Sequence, residues 1–286
     1  MIIHSDNHVH TSFSTDSQES MFHMLQKALD LGFSSICFTD HMDYDFPAIF
    51  TKKKENKNPF LFNMDDYLIE IQKMRKQFPS LNIRQGVELG LKPSALKPAL
   101  QLTDSYALDF IIGSTHLVDD MDPYYPVFWE GTEENPGIHR YYEATLENIN
   151  LPFSYDVYGH LDYILRYTPT MKHLQQEHQN TDSYLETQCK IHAEIMDEIL
   201  RRIIDTGHGI EVNTAGLKYG LGHPHPHEWI LTRYRELGGE IITTGSDAHE
   251  QKHLGYEFAL LPTLLKQCGF HYYTEFHNRK PVMIPL

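Results

Sequence analysis

The sequence predicts an α/β fold in which parallel strands form a barrel-like core ringed by helices. Three observations lead there. Short runs rich in β-branched and aromatic residues recur, helical patterns separate most of them, and nearly every run closes on a histidine or a carboxylate.

The first strand is read over Ile2 to Asn7, just ahead of His8 and His10. Met21 to Leu31 has helical spacing and closes on Gly32, the residue suited to a left-handed helix end. Ser35 to Thr39 is the second strand, leading to His41. Asn63 can cap a helix through Phe78 that buries Tyr67, Ile71 and Met74, with Asp66 in its first turn. Strands follow at Ile83 to Glu88, Phe110 to Ser114 and Tyr155 to Tyr158, the last two leading to His116 and His160. A long helix over Ser183 to Ile204 buries Leu185, Cys189, Ile195, Met196, Ile199 and Ile203. Ile210 to Asn213 and Ile241 to Thr244 complete the set, and Asp247 and His249 come directly after. Seven strands suggest a barrel one short of the usual eight, although an open doubly wound sheet has the same alternation.

Two connections are long enough to be working loops. Asp43 to Phe62 carries Lys52–Lys54, read as a solvated stretch. Val118 to Arg140 mixes acids with Tyr124, Tyr125, Phe128 and Trp129. His223-Pro-His225-Pro-His227 has no carboxylate or cysteine to complete a metal set, and is expected to be a mobile loop near the pocket.

A chain of 286 residues, 41% hydrophobic and 22% charged, can build one large core, and residues 1–286 are read as a single domain. The start lacks the basic and apolar segments of a signal peptide, and no run approaches the length of a membrane span. Cys37, Cys189 and Cys268 form no CxxC pair and suit a reducing, cytoplasmic setting; Cys37 is a packing residue. The net charge of −15 argues against a nucleic-acid partner, because phosphate chains are held by basic grooves. It does not exclude a small phosphate ester, since bound divalent metals invert the sign locally. Oligomeric state is not legible.

The strand ends carry the chemistry. His8, His10, His41, Glu88, His116, His160, Asp247 and His249 sit where sites assemble in parallel α/β folds. His8 and His10 alternate on one strand face about 6–7 Å apart, within reach of one metal or two neighbouring ones. Asp247 and His249 repeat that spacing. Leaving so many titratable groups buried and unpaired would cost several kcal/mol each, so metal ligation is the better reading.

The runs HVHTSFSTD (His8 to Asp16), FTDH (Phe38 to His41), VELG (Val87 to Gly90), GSTH (Gly113 to His116), YGHLD (Tyr158 to Asp162) and GSDAH (Gly245 to His249) resemble the polymerase-and-histidinol-phosphatase (PHP) superfamily, in its order. The resemblance implies a distorted seven-stranded, TIM-like (β/α)7 barrel with three divalent metal ions (Zn, Mn or Fe) at the C-terminal strand ends. It implies one metal on His8, His10, Glu88 and Asp247, a second on Glu88, His116 and His160, and a third on Asp16, His41 and His249. Many relatives have His where this chain has Asp16, which leaves Asp16 as ligand, general acid or both.

GIEVNTAGLK (Gly209 to Lys218) and Arg166 resemble the histidinol-phosphate phosphatase branch, less specifically. They imply a small phosphate-ester substrate, L-histidinol phosphate, attacked directly by metal-bound hydroxide without a phosphoenzyme. Asp16, Glu88, Arg166 and His249 are then the expected catalytic group, with Arg166 as a bidentate phosphate clamp and Asn213 as a further substrate contact. The loop around Asp119, Asp120, Tyr124 and Trp129 could receive the ammonium and imidazole, a solvated loop being the plainer alternative. The competing readings are a nucleotide or oligonucleotide phosphoesterase of the same superfamily and a metal-binding protein without catalysis.

Overall fold

A computed structural model describes residues 3–47 and 60–286. In chain order the elements are β1 (Ser5–Val9), α1 (Met21–Asp30), β2 (Ser35–Phe38), β3 (His41–Met42), α2 (Met64–Gln77), β4 (Asn82–Gly90), α3 (Leu96–Ser105), β5 (Phe110–Ser114) and α4 (Glu134–Ile149). There follow β6 (Val157–Tyr158), α5 (Pro169–Gln176), α6 (Asp182–Ile191), α7 (Ala193–Asp205), β7 (Gly209–Asn213), α8 (Ala215–Lys218), α9 (Glu228–Glu236), β8 (Ile242–Gly245), α10 (Leu261–Gln267), β9 (Tyr272–His277) and β10 (Lys280–Pro285). Lys52–Lys54 and Ile2 lie outside the described residues.

The barrel strands run β1-β2-β4-β5-β6-β7-β8, all parallel, with the two-residue β3 paired to β4 beyond the end of β2. The first and last strands meet in a short seam, where Val9 bridges Ala248. Its backbone bonds are His10 N–H to Ala248 O and Asp247 N–H to His8 O, both 2.9 Å. The result is a nearly closed, distorted (β/α)7 barrel rather than an open sheet. Among the described residues no helix is long and apolar enough to cross a membrane.

Amphipathic spacing turns each helix onto the sheet. Met21, Met24, Leu25 and Ala28 of α1 are buried, as are Met196, Ile199, Leu200 and Ile203 of α7. Each such large side chain contributes about 1.5–3 kcal/mol relative to exposure. Asn63 caps α2 through its side-chain oxygen, which accepts from the Asp65 and Asp66 amides, and Gly32 follows α1 at φ +74°.

Several expectations shift. β1 starts later and runs through His8 and Val9, with a bulge between Asp6 and Val9. That irregularity lets the consecutive residues Asn7 and His8 both reach β4, at Arg84 and Glu88. β4 continues to Gly90, so Glu88 lies inside a strand rather than at its end. β6 is only two residues long, and the long connection after Val118 stops where α4 begins. The helix expected over Ser183 to Ile204 is broken at His192 (φ −102°, ψ 17°), whose ring packs on His139 and Tyr142 of α4. The break leaves Ile195 only partly buried. The β9–β10 hairpin, absent from the expectation, covers the N-terminal ends of the strands, where Phe276 stacks on Phe110 and accepts from buried Arg84.

Candidate metal centre

Glu88 is the hub. Its position on β4 aims the carboxylate at the barrel mouth, fully buried. Oε1 meets His160 Nε2 at 2.9 Å and His116 Nε2 at 3.1 Å. Oε2 meets His41 Nδ1 at 2.9 Å, His8 Nε2 at 3.3 Å and His10 Nε2 at 3.5 Å. Five imidazoles from β1, β3 and the loops after β1, β5 and β6 thus surround one carboxylate. Asp247, after β8, reaches His10 Nε2 at 3.2 Å and His8 Nε2 at 3.8 Å, and His249 at 3.5 Å. Asp16 faces His249 at 3.2 Å and His41 at 3.6 Å from a half-exposed position.

The backbone is bent to do this. His160 and Asp247 have φ of +26° and +52°, conformations side chains rarely adopt, as at many functional sites. Gly245 is forced by contact: a Cβ there would lie 2.3 Å from His8 Cβ and 2.4 Å from Glu211 Oε1.

A partner behind each ring selects its free nitrogen. His8 Nδ1 donates to buried Glu211 at 2.6 Å, His116 Nδ1 to Asp43 at 2.7 Å and His10 Nδ1 to Ser14 Oγ at 3.1 Å; Ser14 in turn donates to Asp40. With both Nδ1 atoms engaged behind the rings, the Nε2 atoms of His8 and His10 face each other only 3.0 Å apart. Buried Glu88 Oε2, His41 Nδ1 and His249 Nε2 face the cluster at ion-pair range but have no partner in hydrogen-bond geometry. Such orphaned, converging acceptors are costly unless a cation lies among them. Three of the groups whose ligand atoms lie within 4.8 Å of one another are His8–His10–Glu88, Glu88–His116–His160 and His10–His41–His249; the fourth is His41–Asp43–His116. The donor set of imidazole and carboxylate therefore fits divalent metal.

Burial opposes charge at each carboxylate, but the neighbouring imidazoles prevail. Glu88 is held well below the usual range by His8, His116 and His41, and Asp247 by His8, His10 and His249. Asp16 behaves likewise beside His41 and His249. Conversely, burial is outweighed at His116, which Asp43 and Glu88 push up to about 10. His10 stays well below its ordinary value through burial and the flanking His249 and His41, which keeps it neutral.

Above the histidines opens a cavity of about 460 Å³ lined in part by Tyr124, Tyr125, Tyr163, Arg166, Tyr167 and Tyr219. Arg166 stacks its guanidinium on Tyr219, 3.1 Å from the ring centroid, and on Tyr167 at 4.9 Å. Asn213 does not line this cavity, contrary to the expected substrate contact. It is fully buried, with its oxygen accepting from Ala215 N–H and its amide donating to Glu211 and Asp247. The acidic loop is also redistributed: exposed Asp119 and Asp120 pair with Arg140 and Lys92, and Trp129 donates to Pro123 O. Asp122, which the sequence reading passed over, turns into the cavity instead. Burial lifts its carboxyl to about 6.

The His223–His227 segment is not a mobile loop at the pocket. All three rings are buried, His225 bridges Asn213, and the His225 Nδ1 and His227 amide donate to buried Asp162. Asp43 and Glu211 are the other functional-site residues missed. Asp43 stands two residues after His41, just past β3, and Glu211 is the lone acid of β7, which were their available signals.

A PHP domain matches residues 6–215. The histidinol-phosphatase of Lactococcus lactis is 29% identical over 96% of this chain and 95% of its own length. That of Bacillus subtilis is 25% identical over 88% and 96%. A crystal structure of histidinol phosphate phosphatase from Lactococcus lactis, complexed with zinc, L-histidinol and phosphate, matches with a TM-score of 0.82. It shares 28% identity and covers 99% of this chain and 100% of that one.

Proposed function

This chain belongs to the PHP family, and on that premise we propose that it is a metal-dependent phosphomonoesterase that hydrolyses L-histidinol phosphate to L-histidinol and phosphate. The observation that carries this reading is the meeting, in one cavity, of a buried imidazole–carboxylate centre and a mostly buried guanidinium. The histidinol-phosphatases it resembles match almost end to end, and one of them holds zinc with both products. The proposal treats residues 1–286 as one domain; the core running from Ile3 to Leu286 supports it. Three buried free cysteines suit a cytoplasmic location.

The proposed ligands are His8, His10, Glu88 and Asp247 for one ion, Glu88, His116 and His160 for a second, and Asp16, His41 and His249 for a third. Zinc, manganese or iron suit such donors. Bound there, divalent ions would supply Lewis acidity toward the phosphoryl oxygens and acidify a water. The chain does the rest. Arg166 binds phosphoryl oxygens through its planar fork, held flat by Tyr219 and Tyr167. Glu211 and Asp43 hold the Nδ1 protons of His8 and His116, which fixes both tautomers. Asp16 is ionised at neutral pH beside His41 and His249, a state that suits a ligand better than a proton donor. In the net reaction the P–O ester bond breaks, water supplies oxygen to phosphorus and its proton goes to the leaving alkoxide.

The test is phosphate release from L-histidinol phosphate, an aryl phosphate and a short oligonucleotide, with metal content measured on the same sample. Selective turnover of the first, with about three metals per chain, is the expected result. Metal without that selectivity would overturn the substrate assignment, and failure to take up metal would overturn the reading as a whole.

A further inference from the structure

Among the described residues six carboxylates line the cavity, and five have a lysine or histidine at ion-pair distance. Asp16 faces His41 and His249, Asp43 faces His116, Glu88 and Asp247 face the imidazole cluster, and Glu250 pairs with Lys252 at 2.7 Å. Asp122 is the sixth. Its Oδ1 accepts the Tyr124 amide at 2.8 Å and the Tyr163 hydroxyl at 3.4 Å, and among the described residues no lysine, arginine or histidine forms an ion pair with it. It is 9% exposed and borders the cavity.

Arg166 is its counterpart. It is the sole lysine or arginine lining the cavity among the described residues, rests on aromatic faces, and forms no ion pair with a carboxylate. A run of contacts joins the two charges: Arg166 over Tyr167, Tyr167 against Tyr163 at 4.9 Å, and Tyr163 to Asp122. Tyr163 also packs on His160 and His116, which places Asp122 about one ring beyond the metal centre.

Among the described residues this cavity holds one cation and one anion with no ion-pair contact, although His116 and Asp247 act on them from farther off, and a ligand carrying both charges would pair with each. Resting on the phosphatase reading above, we infer that Asp122, flanked by Tyr124 and Tyr163, receives a cationic nitrogen of the substrate and determines specificity for amine-bearing phosphate monoesters. Arg166 then takes the phosphate end. The aromatic flanks add cation–π attraction and exclude water from the pair. A substrate with phosphate alone would leave Asp122 without an ion-pair partner, and burial already lifts its carboxyl to about 6.

The experiment compares metal-loaded wild type with Asp122→Asn on L-histidinol phosphate, phosphoethanolamine and p-nitrophenyl phosphate, alongside calorimetric binding of L-histidinol and of inorganic phosphate. The variant should lose about 10- to 100-fold in kcat/KM on L-histidinol phosphate, mostly through KM, with a similar loss of L-histidinol affinity. Metal content, phosphate affinity and aryl-phosphate turnover should hold. A parallel loss on phosphoethanolamine assigns the ammonium to Asp122, and a loss confined to L-histidinol phosphate assigns the imidazole. Equal losses on all three esters, or none on any, would overturn the inference. If the Asn variant folds poorly, Asp122→Glu replaces it and should raise KM only for esters bearing a cationic nitrogen; an equal rise for the aryl ester is the overturning result. Wild type that ignores L-histidinol phosphate but cleaves the aryl ester would remove the proposed substrate, whereas an Asp122-dependent preference for phosphoethanolamine would still establish the subsite.

Discussion

Strand β4 carries two buried charges four residues apart, and they have opposite surroundings. Arg84, near the closed end of the barrel, is 1% exposed and donates to Ser5, Asn7, Ser35 and the Phe276 carbonyl, with Glu275 at 3.8 Å. Glu88, at the open end, is equally buried, but five imidazoles converge on it and Oε2 has no hydrogen-bond donor. Between them Gly86 leaves no room for a side chain, because a Cβ there would lie 2.7 Å from the Phe110 carbonyl. A buried charge with complete partners is part of the scaffold. One whose neighbours are themselves left incomplete marks a place prepared for something else.

Glu88→Gln should break the comparison most severely. It keeps the shape of the side chain but removes the charge shared by the ligand sets. Metal content should fall and turnover drop by more than the ~10- to 100-fold typical of outer-shell partners. Retained metal with full turnover would show that Glu88 is structural after all. Arg84→Met should act on stability instead, costing about 3–5 kcal/mol as hydroxyls, amide and Glu275 lose their cation. Thermal unfolding together with metal analysis reads this, and loss of metal without loss of stability would reverse the two roles. Glu211→Gln should lower metal affinity by about 10- to 100-fold, since Glu211 fixes His8 and also accepts the His160 amide. Asp43→Asn should have the smallest effect, about 10-fold, because it forms a hydrogen bond with only His116 among the rings. Competition with a chelator would rank the two, and a larger effect at Asp43 would move it from positioning residue to ligand.

The site was more legible than the frame that holds it. The proposed metal ligands fall at strand ends with alternating spacing, so His8, His10, Asp247 and His249 were legible as candidates. Their supports did not, because Glu211 and Asp43 act through contacts between strands distant in sequence. Helix α4 was not anticipated, because its first residues include Pro136 and Gly137, both poor helix formers. Pro136 lies in the first helical turn, where its missing N–H costs nothing. β10 was hidden because its residues are mostly exposed and include two prolines, so it lacks the buried alternation that betrays a strand. Asp122 sits in an irregular loop with no period to betray it, and only the count of partners in the folded cavity singles it out.

The seam between β1 and β8 gives the barrel a direction in which to fail. A hoop of seven staves is weakest where its ends overlap least, and here the overlap is a single bridge. His8 and His10 stand on one lip, Asp247 and His249 on the other, so any ion gripped by both works as a rivet. Metal loading of such a molecule would then tighten its girth as well as arm it, making a supply of metal a condition of stiffness as much as of chemistry.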